Sequence, residues 1–193
     1  FIMKKRYSYL IGACLAAAVL ILPGCTPKQS TFAEEKAVQM EKPAKGYNPY
    51  MEVSYAYFGS LPYLVGSADA ITIASIVKDH GIVTLKEGDG YADYRIYTLK
   101  SERSFKPGLG NGEEFQVKVD NFAERKELTE KGLYFLSNRY DKDQYSFPAP
   151  DQTILPIENG EIQLTESTKV FFPDYGEKIP VDKAIEEIQK IIQ

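Results

Sequence analysis

The 193-residue chain is poor in the residues that carry most protein chemistry, since it has one histidine, two cysteines and no tryptophan. His80 has no second histidine with which to share a zinc ion. No Gly-x-Ser-x-Gly pattern is present that would supply a nucleophile for His80 to activate. We therefore interpret His80 as a solvent-exposed histidine in a turn before Gly81.

The first 25 residues have the organisation of an export signal. Met3 is the expected start, and the basic stretch Lys4-Lys5-Arg6 follows it. The apolar run from Leu10 to Leu22 is shorter than the ~20 residues needed to span a bilayer, and it suits the apolar core of a signal peptide. Pro23 and Gly24 end this run and open the backbone to a peptidase.

The residues Leu22-Pro23-Gly24-Cys25 resemble the lipobox of bacterial lipoproteins, in which a Leu, a tolerant position and a small residue precede a Cys. Pro23 at the tolerant position is the one departure from the pattern. The resemblance implies cleavage before Cys25 and a diacylglyceryl group on its thiol, which would anchor the chain at the extracytoplasmic face of a cell membrane. A Gram-positive cell is favoured. The alternative is an uncleaved membrane helix with a coincidental Cys.

Removal of residues 1–24 would leave 20 basic and 27 acidic residues, a net charge of −7. This balance argues against nucleic acid as a partner. Cys14 would leave with the signal peptide and Cys25 would be acylated, so the folded part would have no free thiol. Disulfides, thiol catalysis and cysteine-ligated metals are then excluded, and we expect no cofactor.

The chain divides into three parts. We predict a signal peptide over 1–24, a lipidated flexible tether over 25–47 and a single globular domain over 48–193. The tether is polar and has no sustained apolar face, so we expect a coil that spans about 25 Å on average. The remaining length suffices for one hydrophobic core.

The local patterns predict a mainly β domain of five to seven strands. Ser60 is placed to cap a short helix over 61–67, and an amphipathic helix begins near 180 or 181. Asn159-Gly160 fits a type I′ hairpin turn between 154–158 and 161–164. Pro156 predicts an edge strand. The other predicted strands are 70–78 with 82–85 continuing it, 91–100, 114–120 and 133–137, with a loop over 107–112 and a charged loop or short helix over 121–131.

This order suggests a small antiparallel barrel or half-open sheet with helices at its ends. Residues 67–137 resemble secreted OB-type domains related to the netrin and metalloproteinase-inhibitor module, through the Ala68-Asp69 start of the first strand, the long strand at Tyr94–Lys100 and the strand Gly132–Leu136. The resemblance implies binding or inhibition and assigns no site residue.

Metal and tyrosine patterns give weaker indications. Asp141-Lys142-Asp143 opens like a calcium loop, but Ser146 and Gln152 replace the Gly and Glu that such a loop needs, so we expect no such site. An irregular calcium site using Asp141, Asp143 or Asp151 stays open. The 14 tyrosines either fill a core that lacks Trp or form a binding surface, and core filling is favoured.

We expect a non-catalytic binding domain held at a membrane through Cys25, with an envelope protein or a glycan as its further partner. A cell-envelope enzyme using carboxylates is the first alternative. A small solute-binding or structural lipoprotein is the second.

Overall fold

The computed structural model describes residues 55–87, 90–120, 128–138 and 144–193, and of residues 86, 87, 90 and 91 it describes the backbone alone. The predicted signal peptide, the predicted tether and residues 48–54 of the predicted domain lie outside the described residues. The turn at 88–89 and most of the charged segment, 121–127, lie outside them as well.

Strands dominate the described chain, which confirms a mainly β fold with minor helices. The elements are, in order, α1 (Leu61–Ser67), β1 (Ala70–Glu87), β2 (Gly90–Ser104), β3 (Glu114–Asp120), β4 (Lys131–Leu136), β5 (Tyr145–Ser146), α2 (Pro150–Thr153), β6 (Ile154–Glu158), β7 (Glu161–Gln163), a 3-10 turn (Lys169–Phe171), β8 (Lys178–Pro180) and α3 (Val181–Ile192).

The described strands form one sheet in the order β5-β3-β2-β1-β4-β6-β7-β8. All neighbours are antiparallel except β3 and β5, so the sheet is mixed. It is a half-open sheet and not a closed barrel. One antiparallel bridge between Ser137 and Ser146 connects the end of β4 to β5 and thus curls the sheet. Eight strands exceed the predicted five to seven because β5 and β8 are too short to show a period in the sequence.

β1 runs through Gly81 and thereby joins the predicted strand over 70–78 to its predicted continuation over 82–85. Gly81 has φ +76°, which a residue with a side chain rarely adopts. The register between β1 and β2 shifts between Asp79 and Ile82, so a bulge absorbs this conformation and pairing resumes. The interpretation of His80 as a turn residue is therefore wrong. His80 lies half-buried within β1, with its Nε2 2.9 Å from Thr98 Oγ1.

The hairpin of β6 and β7 forms where Asn159-Gly160 predicts it, with φ of 53° and 79° at these two residues. The prediction that Pro156 marks an edge strand is wrong, because β6 lies between β4 and β7. The ladder with β4 covers 154–156, whereas the ladder with β7 covers 157–158. Pro156 ends one ladder before the other begins, so the strand tolerates its missing N–H.

Two hydrophobic cores lie on opposite faces of the sheet, because neighbouring residues of β4 alternate between them. Leu133 and Phe135 join a core that α1 and α3 cover, whereas Tyr134 and Leu136 join the other. The amphipathic pattern of α3 is confirmed: Ala184, Ile185 and Ile188 are buried against the first core.

α1 begins where the sequence predicts. Ser60 adopts an extended backbone before the helix, and its Oγ accepts from the Tyr63 N–H at 3.4 Å. Leu61, Leu64 and Val65 are buried. The helix is thereby fixed to the sheet and Tyr63 is left on its outer side, 60% exposed.

Candidate functional site

A shallow cleft lies where the described chain begins. Its volume is about 240 Å³. This is below the 300–1,000 Å³ of typical small-molecule sites, and it is large enough for a side chain or a single ring of a partner. The residues that line it come from the segment before α1, from α2 and from the 3-10 region, namely Tyr55, Ala56, Tyr57, Ala149, Pro150, Asp151, Gln152 and Ser167.

A buried amide holds the two sides of the cleft together. Gln152 is 4% exposed, and its Oε1 accepts from the Phe58 N–H at 2.9 Å. Its Nε2 donates to the Phe58 carbonyl at 3.1 Å and to the Ser167 carbonyl at 3.1 Å. The side-chain polar atoms of Gln152 are thus used in bonds within the protein, so the cleft wall is fixed before any ligand arrives.

Two other polar side chains of the cleft also make hydrogen bonds within the protein. Tyr55 donates from its hydroxyl to Asp120 Oδ2 at 2.5 Å. Ser167 donates from Oγ to the Asp151 carbonyl at 2.9 Å. Asp151 brings one carboxylate to the cleft, and its side chain is exposed. Glycoside hydrolysis by the usual route needs a pair of carboxylates, and the lining of this cleft supplies one.

The segment next to the cleft has no charge. Between Glu52 and Asp69 the sequence contains no Asp, Glu, Lys or Arg, in a chain of which 26% is charged. Tyr57 is 71% exposed and Tyr63 is 60% exposed, and the buried ring of Phe58 contacts the Tyr63 ring at 5.6 Å between centroids. We call the exposed part of this segment the tyrosine surface; it consists of Ala56, Tyr57, Gly59, Ser60, Pro62, Tyr63 and Gly66.

α1 is held at its carboxyl end as well as at its cap. Lys106 Nζ donates to the Val65 carbonyl at 2.9 Å and to the Ala68 carbonyl at 2.6 Å. A cation at this end also complements the helix dipole. The tyrosine surface therefore rests on a helix that is anchored from both ends.

Some of the described tyrosines fill the core and others form a surface, so each of the two interpretations of the tyrosines applies to part of them. Tyr94 and Tyr97 on β2 are 8% and 3% exposed and belong to the interior, as the favoured interpretation predicts. Tyr57 and Tyr63 instead form an outer surface. Tyr47, Tyr50 and the side chain of Tyr91 lie outside the described residues.

The described carboxylates with shifted pKa values are stabilised in their charged form; one, Glu186, lies on α3, where a hydrogen bond from Lys183 lowers its pKa, and two lie on the sheet. A hydrogen bond from Arg95 lowers the pKa of Asp79, and one from Lys131 lowers that of Glu102. A general acid needs the opposite shift. These two sites are surface ion pairs, with oxygen to nitrogen distances of 2.5 Å.

Most of the remaining sequence-predicted site residues cannot be placed. Leu22 to Cys25, with the lipidation site Cys25, lie outside the described residues, as do Asp141 and Asp143 of the irregular calcium alternative. Asp151 lines the cleft. Across the described ranges, no group of three His, Cys, Asp or Glu side chains is arranged to hold a metal ion.

Sequence reasoning did not identify the cleft, because its two sides are far apart in the chain. Phe58 and Gln152 are separated by 94 positions. The charge-free stretch after Glu52 was the available signal for the surface beside the cleft. Tyrosines that lie in an uncharged segment indicate a contact surface more specifically than the total number of tyrosines in the chain does.

None of the helices in the described parts of the chain is long and apolar enough to cross a membrane. No protein-family model matches this chain, and no curated protein or solved structure is similar to it, so the resemblances to bacterial lipoproteins and to OB-type domains stay predictions.

Proposed function

We propose that this protein is a membrane-anchored extracytoplasmic lipoprotein, acylated on Cys25, whose domain binds a partner without catalysis. The binding site is the tyrosine surface with the adjoining cleft. The observation that carries the anchor is Leu22-Pro23-Gly24-Cys25 placed directly after a basic stretch and a short apolar run. Two acyl chains on one residue give stable anchoring, whereas one chain binds only marginally.

The non-catalytic role is supported by the chemistry of the cleft. Gln152 is committed to the backbone of Phe58 and Ser167, and the carboxylate at the cleft is that of Asp151. A binding role needs a preformed wall and exposed aromatic area, and both are present here. The cleft described here is shallow, and its volume of about 240 Å³ lies below the range of typical small-molecule sites, which favours surface binding over the solute-binding alternative.

The anchor is tested by Cys25→Ala in cells that process lipoproteins, with Cys14→Ala as the matched control. We expect the wild type and Cys14→Ala in the membrane fraction at the mature size. Cys25→Ala should accumulate as a longer precursor or be released. Membrane-bound Cys25→Ala at the mature size would contradict the proposal.

The non-catalytic role is tested on the lipidated protein with cell-wall polymers as substrates. We expect no turnover by the wild type or by an Asp151→Asn variant, because Asp151 is the one carboxylate among the residues that line the cleft. Turnover by the wild type would favour the envelope-enzyme alternative, and its loss in Asp151→Asn would assign that turnover to the cleft.

A further inference from the structure

We infer that the tyrosine surface contacts the head-group region of the membrane that holds the Cys25 anchor, so the partner of the domain is the phospholipid interface. The inference rests on the proposed lipid anchor and names the partner of that same surface. Four observations support this inference: the path of the chain, the chemistry of the surface, the charge of the domain and the hydrogen bonds that hold the surface in place.

The path of the chain brings this surface to the membrane. From Thr26 to Ser54 there are 29 residues, and the described domain begins at Tyr55, two positions before Tyr57. The predicted coil of the tether spans about 25 Å on average. A tether of this kind gives a local concentration of roughly millimolar. A contact too weak to recruit a free domain can therefore still hold a tethered one, and the chain enters the described domain next to this surface.

The chemistry of the surface suits the boundary between lipid and water. Tyrosine has an apolar ring and a polar hydroxyl, and it is enriched at the level of the head groups in membrane proteins. Tyr57 and Tyr63 expose 71% and 60% of their surface, far more than Tyr94 and Tyr97 on β2. Pro62 and Gly66 beside them are also exposed and carry no charge.

The charge of the domain restricts where such a contact can occur. The predicted mature chain carries −7, so most of its surface would be repelled by anionic lipids. The stretch between Glu52 and Asp69 is free of charge, and no Asp or Glu of that stretch has to be desolvated when it approaches the head groups. The contact is therefore aromatic and only weakly sensitive to salt, unlike that of a basic membrane-binding patch.

The surface is preformed, which lowers the entropic cost of the contact. Gln152 holds the backbone of Phe58, and Lys106 holds the last carbonyls of α1. Phe58 in turn supports the Tyr63 ring. Neither tyrosine needs a backbone rearrangement to meet the lipid.

The absence of tryptophan makes the test direct, because one introduced Trp is the sole indole in the protein. Tyr57→Trp and Tyr63→Trp report on the tyrosine surface. Ile82→Trp is the matched control, since Ile82 is also 60% exposed. Tyr94 pairs with Asp120, whose side chain bonds Tyr55, so these residues share the face on which Tyr55 lies. Val83 pairs with Tyr94 and shares that face. Its neighbour Ile82 pairs with Arg95 and faces the opposite side of the sheet.

The lipidated full-length variants are reconstituted into phosphatidylcholine vesicles whose acyl chains carry bromine close to the head groups. We expect bromine to quench the Trp at 57 and at 63 at least about twofold more than the Trp at 82, with little change between low and high salt. Equal quenching at all three positions would overturn the inference. Emission that responds to an added wall glycan or envelope protein, and not to lipid, would overturn it in favour of that partner.

Two measurements keep the result unambiguous. Flotation with the vesicles reports the anchor separately: protein that floats without selective quenching contradicts the membrane contact alone, whereas protein that does not float contradicts the proposed anchor and the contact together. Should a Trp variant misfold, hydrogen exchange on the wild type replaces it. Amides of Tyr57 to Ser67 should exchange more slowly on vesicles than in detergent, and unchanged exchange would overturn the contact.

Discussion

The side-chain amide of Gln152 makes two hydrogen bonds to the backbone of Phe58: Oε1 accepts from its N–H at 2.9 Å, and Nε2 donates to its carbonyl at 3.1 Å. The two residues lie 94 positions apart, and each is less than 5% exposed. Phe58 lies in a segment without helix or strand, so its buried N–H and carbonyl find their partners on this one side chain. Phe58 lies in the segment between Tyr55 and α1. The Gln152 amide, by binding Phe58, therefore positions both the cleft and the tyrosine surface.

Gln152→Ala should therefore destabilise the domain strongly. It leaves the buried N–H and carbonyl of Phe58 without this partner, together with the half-buried carbonyl of Ser167. Loss of a bond to a buried group costs about 1–3 kcal/mol, so the two bonds to Phe58 alone predict a loss of roughly 2–6 kcal/mol in the free energy of unfolding. Urea denaturation followed by tyrosine fluorescence measures it.

Gln163→Ala is the control for this change, since Gln163 is half-buried and its Nε2 makes one long bond, 3.4 Å, to the Glu161 carbonyl. We expect a loss below about 1 kcal/mol there. Similar losses in both variants would show that the grip on Phe58 is not the stabilising feature.

Local signals predicted the elements that depend on neighbouring residues. Ser60 fixes the start of α1, and Asn159-Gly160 fixes the turn between β6 and β7, because a cap or a positive φ is decided within a few positions. The 3.6-residue spacing of the Ile residues likewise gave α3. The grip of Gln152 on Phe58 has no such local signature, so the cleft could not be predicted from the sequence.

The errors have the same origin. Pro156 was assigned to an edge because a proline lacks a donor, but the ladders with β4 and β7 meet on either side of it. His80 was assigned to a turn because Gly81 follows it, but the pairing with β2 accommodates Gly81 as a bulge within the strand. In both cases the partner strand determines the local structure, and the local sequence does not identify that partner.

Gly132 and Tyr134 lie two positions apart on β4, and the tyrosine ring covers the glycine. A Cβ on Gly132 would lie 2.7 Å from Tyr134 Cζ, a distance that real Cβ atoms essentially never show. Tyr134 is fully buried, and its ring packs against the Phe147 ring at 5.8 Å between centroids, so it has little room to move away from a Cβ on Gly132. We expect Gly132→Ala to lower the free energy of unfolding by about 1–3 kcal/mol.

Gly66→Ala is the matched control for Gly132→Ala. A Cβ at Gly66 meets no atom within 4 Å, and its residue lies in α1. Alanine favours a helix over glycine, so this variant should be unchanged or stabilised by up to about 1 kcal/mol. Thermal denaturation of both variants checks the pair. Equal melting temperatures would contradict the close approach of the Tyr134 ring.

The ion pair of Asp79 and Arg95 gives a prediction with a defined dependence on pH. Arg95 donates from Nη2 to Asp79 Oδ2 at 2.5 Å and from Nε at 3.1 Å, and the Gly81 N–H donates to Oδ1 at 2.8 Å. The hydrogen bond from Arg95 is the largest cause of the lowered pKa of Asp79. The contribution of Asp79 to stability is therefore present above the pKa of the unfolded chain, about 4, and is lost as the pH falls through the lower folded value.

Asp79→Asn should accordingly lower the free energy of unfolding at pH 7 by at most about 1 kcal/mol, because both partners are partly exposed and screened by water. The difference from the wild type should shrink below about pH 4 and vanish once Asp79 is protonated in the folded protein. Urea denaturation between pH 2 and pH 7 measures this difference. Asp174→Asn, at an exposed position, should show no such convergence. A difference for Asp79→Asn that stays constant down to pH 2 would mean that the ion pair does not stabilise the bulge at Gly81.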